Sequence, residues 1–278
     1  MPAYQTLITA AQLRLLLDNN DNLLIADCRT NLIDPDQGSK AYLESHIPGA
    51  VYLHLDQDLS SEIIPGQTGR HPLPEQSSFT ALIQRLGINE NTQIVVYDSN
   101  SGAFAARAWW LFRWAGLANV AVLDGGWQNW VLAVQPTNRS IPMLTPSDFE
   151  PSYQDQMIVS ADEILSQGSN WTLLDARAAD RFAGQNETLD PKAGHIPGTL
   201  NAPFSENLDE QGMFLPGQDI AARFTSFAND KPKVNYCGSG VTACHNILAM
   251  THAGLDAGRL YPGSWSEWIT DDGRNIET

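Results

Sequence analysis

The stretch Lys233-Val234-Asn235-Tyr236-Cys237-Gly238-Ser239-Gly240-Val241-Thr242-Ala243 sets the class of fold for this chain. A short β-prone run ends in a glycine-rich turn, and Ala243 to Ala253 reads as a helix. A thiol at such a turn sits where backbone N–H groups converge at a helix N-terminus, which favours an anion and lowers a thiol pKa. The two glycines let the backbone curl around one atom. Cys237 is therefore a candidate nucleophile. The competing reading is a small buried residue at the tip of a core strand, the usual place of a free cysteine. A core strand, however, has no need of a polar Gly-Ser-Gly turn.

The chain is written twice. Leu24-Ile25-Ala26-Asp27-Cys28-Arg29 is echoed by Leu173-Leu174-Asp175-Ala176-Arg177, and Ser45-His46-Ile47-Pro48-Gly49-Ala50 by Gly194-His195-Ile196-Pro197-Gly198-Thr199. Ile94-Val95-Val96-Tyr97-Asp98 matches Val234-Asn235-Tyr236-Cys237. Asp124-Gly125-Gly126-Trp127-Gln128-Asn129-Trp130 matches Pro262-Gly263-Ser264-Trp265-Ser266-Glu267-Trp268. Four blocks in the same order, with offsets that drift by only about ten residues, mark a duplicated unit. Features in both copies read as architecture, so His46 and His195 are assigned to turns and the paired tryptophans to packing. A feature in one copy only is a candidate for chemistry. Cys237 faces Asp98 in the first copy.

In the first copy, Leu23 to Ala26, Ile94 to Tyr97 and Val120 to Leu123 read as buried parallel strands. Ser78 to Leu86 and Gly102 to Ala115 read as helices, the first capped by Ser77 or Ser78. Alternation of this kind predicts an α/β fold, each copy a parallel sheet with helices on both faces. Ligands then bind beyond the carboxyl ends of the strands, where Cys237 stands. The expected domains are 1–133 and 154–278. The Pro-, Ser- and Thr-rich stretch 134–153 is expected to be the linker between them.

Composition narrows the function. A length of 278 residues allows two domains. A net charge of −16 argues against nucleic acid and anionic membranes as partners. An anionic substrate needs a local cationic site within that field. The first twenty residues have neither a basic start nor a long apolar run, so no signal peptide or spanning segment is expected. Cys28, Cys237 and Cys244 form neither a disulfide framework nor a metal knuckle, which fits a reducing cytoplasm. Cys244, seven residues after Cys237, reads as a core residue. A cysteine phosphatase would need an arginine six residues after its cysteine, and residue 243 is alanine.

Together these blocks resemble the tandem-domain sulfurtransferases of the rhodanese family over nearly the whole chain. The resemblance rests on the His-Ile-Pro-Gly turns, the Gly-Gly-x-x-x-Trp-like ends, the Cys-x-x-Gly-Val-Thr loop and a first half without the cysteine. It implies two tandem rhodanese-like domains and a cysteine that carries sulfur as a persulfide, a role Asp98 cannot fill. It also implies no metal or organic cofactor. The donor is then a small anionic sulfur compound, and the acceptor is thioredoxin, a low-molecular-weight thiol or cyanide. The N–H groups of Gly238, Gly240, Val241 and Thr242 would cradle the persulfide.

Thiosulfate enzymes of the family carry cationic side chains after the cysteine, whereas Gly238 and Ser239 are neutral. This loop looks like the 3-mercaptopyruvate version, with thiosulfate as the alternative donor. The resemblance then places Ser239, His71 (in Gly69-Arg70-His71-Pro72-Leu73-Pro74) and Asp56 in a proton relay, and Arg181 on the substrate carboxylate. A second arginine usual in that subfamily is absent from Glu187-Thr188-Leu189-Asp190-Pro191-Lys192. Lys192 is the nearest substitute by sequence. A third possibility is a non-catalytic binding module with an inert or redox-sensing Cys237.

Overall fold

The computed structural model describes residues 3–19, 22–227 and 230–278. The chain divides into two compact units. Unit 1 comprises Met1–Ser61, Pro74–Gln154 and Glu210–Met213, and unit 2 comprises Glu62–Leu73, Asp155–Asp209 and Phe214–Thr278. The segment Glu62–Leu73, which carries Arg70 and His71, thus belongs with the Cys237 half. The stretch 134–153 has no helix or strand and packs within unit 1. There Ser147 donates its N–H to the Gln84 carbonyl at 2.9 Å, and Tyr153 lies 4.6 Å from Trp114 between ring centroids.

Unit 1 holds β1 (Leu7–Ile8), α1 (Ala10–Asn19), β2 (Leu23–Asp27), α2 (Gln37–Glu44), β3 (Ala50–Tyr52), α3 (Gln76–Arg85), β4 (Gln93–Tyr97), α4 (Ala105–Trp114), β5 (Val120–Leu123) and α5 (Gly126–Leu132). The sheet order is β1-β5-β4-β2-β3, with every pairing parallel. Alternate strand positions point to opposite faces. Ile25, Val95, Tyr97, Ala121 and Leu123 meet Leu13 and Leu16 of α1, Tyr42 of α2 and Trp130 of α5. The intervening Leu24, Ala26, Ile94, Val96, Val120 and Val122 are equally buried. They face the other side, where α4 packs on β4 and β5. Burial on both faces explains why these strands are continuously apolar.

Unit 2 repeats the plan with α6 (Ala161–Gln167), β6 (Thr172–Asp175), α7 (Ala179–Phe182), β7 (Leu200–Asn201), α8 (Gly217–Thr225), β8 (Lys233–Tyr236), α9 (Thr242–His252), β9 (Arg259–Leu260) and α10 (Ser264–Trp268). Its sheet, β7-β6-β8-β9, is also parallel throughout. A single parallel bridge from Ile158 to Leu260 stands where unit 1 has β1. The two sheets bear out the expected α/β class.

The repeated blocks converge on each other, which is the physical reason both copies keep them. Arg29 forks onto the Asp27 carboxylate (Nη2–Oδ2 2.6 Å), donates to the Ser45 carbonyl at 2.7 Å and lies 4.5 Å above the Trp127 ring. Arg177 does the same with Asp175 (2.6 Å), the Gly194 carbonyl (2.8 Å) and Trp265 (5.0 Å). The strand-ending tyrosines close the network. Tyr97 Oη accepts the Ile47 N–H at 3.3 Å and Tyr236 Oη the Ile196 N–H at 3.1 Å, each from a His-Ile-Pro-Gly turn. Buried ion pairs of this kind persist where every remaining proton finds an acceptor.

Two helix starts differ from expectation. Helix α3 begins at Gln76 after Glu75, and neither Ser77 nor Ser78 caps it; both lie in its first turn. Helix α4 begins at Ala105, three residues later than the pattern predicts: Gly102 is left-handed at φ +75°, outside helical geometry, and Asp98 caps the first turn through the Phe104 and Ala105 N–H groups.

Candidate active site

Strand β8 delivers Cys237 to the carboxyl edge of the unit 2 sheet, with the thiol residue 2% exposed. The turn that follows is fixed by backbone geometry. Gly240 has φ +76°, and a Cβ there would lie 2.3 Å from the Pro262 carbonyl oxygen, so only glycine fits. The segment before α10 holds the loop from the other side. Cys237 donates its N–H to Ser264 Oγ at 3.1 Å, and Ser264 in turn donates to the Tyr261 carbonyl at 3.0 Å. Trp265 N–H binds the Cys237 carbonyl at 3.0 Å, and Ser266 N–H binds the Gly238 carbonyl at 2.9 Å. The Pro-Gly-Ser-Trp block therefore pins the carbonyls of residues 237 and 238. Val241 is buried, and Thr242 opens α9.

The first copy shows what this turn does with an anion. The buried Asp98 carboxylate accepts four backbone N–H groups: from Asn100 (3.2 Å) and Gly102 (2.9 Å) at Oδ1, and from Phe104 (2.9 Å) and Ala105 (3.2 Å) at Oδ2. Its own carbonyl is pinned by Trp127 N–H at 2.8 Å, and that of Ser99 by Gln128 N–H at 2.9 Å, matching Trp265 and Ser266. Burial pushes the Asp98 pKa up, and the four donors oppose that rise.

His71 lies within unit 2, buried like Ser239. Its Nδ1 is 2.7 Å from Ser239 Oγ, a hydrogen bond between residues 168 apart in sequence. The structure thus brings Ser239 and His71 together. Asp56 is in unit 1, exposed, in the turn after β3, where its N–H donates to His54 Nδ1 at 3.1 Å.

Arg181, on the short helix α7, is gripped by Glu187 through Nε (3.1 Å) and Nη2 (2.8 Å). It also reaches Asp190 at 3.3 Å. Burial raises the Glu187 pKa, but the Leu189 and Asp190 N–H groups and the Arg181 guanidinium outweigh it and hold the carboxyl below its ordinary range. Arg70 makes a two-pronged pair with Asp190, Nε–Oδ1 2.9 Å and Nη2–Oδ2 3.1 Å. Both guanidiniums border the loop: a Cβ built on Gly238 would meet Arg70 Nη2 at 2.9 Å and Arg181 Nη2 at 3.5 Å. Lys192 is committed elsewhere, to Asp272 and to the Ile269 carbonyl at 3.1 Å. In the sequence Arg70 stands out only as the neighbour of His71, and nothing there signals its place beside Gly238.

Cys244 is fully buried with Sγ 3.3 Å from the Gly240 carbonyl. His46 and His195 stack on Tyr42 and Phe182, and each bonds through Nδ1 to the carbonyl of that ring's residue. All three side chains serve packing and turns. Among the described residues, no group of three or more His, Cys, Asp and Glu side chains could hold a metal ion. Among the same residues, no helix is long and apolar enough to cross a membrane.

Comparison with known proteins agrees with this geometry. The rhodanese-like domain matches residues 9–133 and 160–271. A Pseudomonas aeruginosa protein named as a 3-mercaptopyruvate sulfurtransferase is 45% identical over 98% of each chain. SseB of Mycobacterium tuberculosis, named as a thiosulfate sulfurtransferase, is 40% identical over 98% of this chain and 96% of its own. The crystal structure of SseA from Escherichia coli, described as a 3-mercaptopyruvate sulfotransferase, superposes with a TM-score of 0.82 and 30% identity, covering 95% of this chain and all of that one. The chain belongs to the rhodanese-like family, with two copies of its domain in tandem.

Proposed function

We propose that the chain moves sulfur from 3-mercaptopyruvate to a thiol or cyanide acceptor through a persulfide on Cys237, releasing pyruvate. One observation carries this reading. Cys237 occupies the loop position at which Asp98, in the other copy, holds an anion against four backbone N–H groups. A persulfide is an anion of the kind such a cradle favours.

In this mechanism the Arg181 guanidinium holds the donor carboxylate. The Cys237 thiolate attacks the donor sulfur, forming the S–S bond as the C–S bond breaks. The electron pair of that bond passes to carbon as the enolate of pyruvate. The proton of the donor thiol leaves through Ser239 and His71 and is returned to the enolate carbon, giving pyruvate and a Cys237 persulfide anion. N–H groups from Gly238 to Thr242 stabilise that anion. The family resemblance assigns Asp56 to the same relay. Attack by an acceptor thiol on the outer sulfur then restores the Cys237 thiolate. Thioredoxin, a low-molecular-weight thiol or cyanide suits this second step. Cys28, Cys237 and Cys244 are buried thiols, which suits a reducing cytoplasm as the working compartment.

The choice of 3-mercaptopyruvate rests on neutral Gly238 and Ser239 and on the hydrogen bond between Ser239 and His71. Thiosulfate remains the second reading because a relative 40% identical carries that name. Turnover of the two donors under matched conditions separates them: faster pyruvate release from 3-mercaptopyruvate is expected, and faster turnover of thiosulfate would reverse the assignment.

A further inference from the structure

Two exposed isoleucines are mounted on the support of the Cys237 loop. Ile63 and Ile64 are 56% and 49% exposed, and the turn that carries them is closed on itself. The Ile64 carbonyl accepts the Gln67 N–H at 3.0 Å and the Thr68 N–H at 3.1 Å, while the Ile64 N–H donates to Thr68 Oγ1 at 3.0 Å. Pro65 fixes its own φ, and Gly66 supplies the left-handed residue after it at φ +75°. The chain then meets the block that pins the Cys237 loop. A Cβ on Gly69 would lie 2.6 Å from the Gly263 carbonyl oxygen and 2.7 Å from Ser266 Oγ, so the segment touches that block directly. The Arg70 N–H binds the same Ser266 Oγ at 3.0 Å.

One ion pair joins this turn to a third exposed apolar side chain. Leu189 is 44% exposed, and its neighbour Asp190 holds Arg70 through both oxygens. Among the described residues, unit 2 exposes six large apolar side chains: Ile63, Ile64, Leu165, Leu189, Leu200 and Ile276. Half of them fall in the two short segments that Arg70 and Asp190 tie together beside Gly238. An apolar side chain alone on a surface needs no explanation, but several on joined segments at a reactive loop mark an interaction surface. The second half of the proposed reaction says what covers it. Cys237 is 2% exposed, so an acceptor must carry its thiol down to the loop. Cyanide or a small thiol needs no seat on the rim to do so, whereas a protein thiol must rest its own surface there. A turn already closed by hydrogen bonds lowers the ordering cost of that contact.

We propose that Ile63, Ile64 and Leu189 form the docking rim for a protein acceptor, a reduced dithiol protein whose reactive cysteine is set in an apolar surface. The acceptor thiolate bonds the outer sulfur of the Cys237 persulfide as the S–S bond breaks, leaving the electron pair on the Cys237 thiolate and a persulfide on the acceptor. The proposal rests on the persulfide reading above, and its test separates the two. Pyruvate release at saturating 3-mercaptopyruvate is measured against concentration of one acceptor at a time: reduced thioredoxin as the protein probe, dithiothreitol, and cyanide. The full chain is compared with Ile64→Ser, the double variant Ile63→Ser/Ile64→Ser, Leu189→Ser, and Leu165→Ser as a control on an exposed site of α6. With thioredoxin, kcat/KM is expected to fall about fivefold or more in Ile64→Ser and Leu189→Ser and about tenfold or more in the double variant, the range for apolar anchors of an interface. With dithiothreitol and cyanide the same variants are expected to stay within about twofold of the parent, and Leu165→Ser to match it with all three. Equal losses with cyanide, no loss with thioredoxin, or a parent that uses thioredoxin no better than dithiothreitol at equal thiol concentration would overturn the rim. So would a parent dimer that Ile64→Ser dissociates with thioredoxin turnover unchanged, which would give the surface to a second copy of the chain. A parent that releases no pyruvate but passes sulfur from thiosulfate to thioredoxin, with the same loss in the variants, would leave the rim standing and overturn the donor reading.

Discussion

His71 Nδ1 and Ser239 Oγ are 2.7 Å apart, both buried, and this contact joins the segment 62–73 to the Cys237 loop inside one compact unit. In the proposed relay the pair acts only on a donor with a proton to move, and thiosulfate has none on its sulfur. His71→Ala and Ser239→Ala are expected to cut kcat with 3-mercaptopyruvate about 10²- to 10⁴-fold, the range for a positioned proton-transfer group. With thiosulfate the same variants are expected to change little. Equal losses with both donors would assign the pair to loop structure.

Asp98 offers a test of the cradle that needs no substrate. Its four N–H partners require two acceptor oxygens, and asparagine supplies one oxygen and an NH₂ group that would face donors. Asp98→Asn is expected to destabilise unit 1 by about 2 kcal/mol or more, since a buried donor left unpaired costs about 1–3 kcal/mol. Burial of the charge works the other way. A more stable asparagine variant in chemical denaturation would show that desolvation outweighs the N–H contacts.

Ser264 separates two terms at one position. Its φ of +55° is strained for a side chain, yet its Oγ is the acceptor for the Cys237 N–H. Ser264→Ala keeps the strain and orphans that N–H, for an expected loss of about 1–3 kcal/mol. Ser264→Gly orphans it too but recovers part of the backbone cost, on the order of 1 kcal/mol. The glycine variant is therefore expected to melt above the alanine variant, and the reverse order would remove the conformational argument.

The acid limb of stability is expected to depend on Glu187. Its folded pKa lies below its unfolded value, so its contribution is complete above the ordinary carboxylate range and is lost as pH falls through the depressed value. Glu187→Gln leaves Arg177 and Arg181 short of a partner whose side chain is 2% exposed. A loss of about 3–5 kcal/mol at neutral pH follows from breaking such a pair. The gap between variant and parent should narrow below about pH 4. A gap independent of pH would show that the glutamate acts by shape alone.

Much of this was legible in the sequence, and the reason is visible in the contacts. Asp27 with Arg29, the His-Ile-Pro-Gly turn, Tyr97 and Trp127 touch one another, as do their counterparts, so drift in one block is constrained by the others. Duplication exposes such a network without a structure. The start of α4 was not legible, because the rule that places a cap next to the helix fails when Asp98 supplies it from seven residues away. Nor was Arg70. Its partners Asp190 and Ser266 are 120 and 196 residues distant, and only the folded path of 62–73 sets it beside Gly238.

The proposed mechanism stands or falls with Cys237 as the carrier of the sulfur. Brief treatment of the parent with 3-mercaptopyruvate in the absence of acceptor, followed by mass spectrometry of the intact chain and its peptides, tests it directly. The expected result is the mass of one added sulfur atom on the Cys237 peptide, removed by a thiol and absent from Cys237→Ser. An unmodified Cys237, or sulfur found on Cys28 or Cys244 instead, would contradict it.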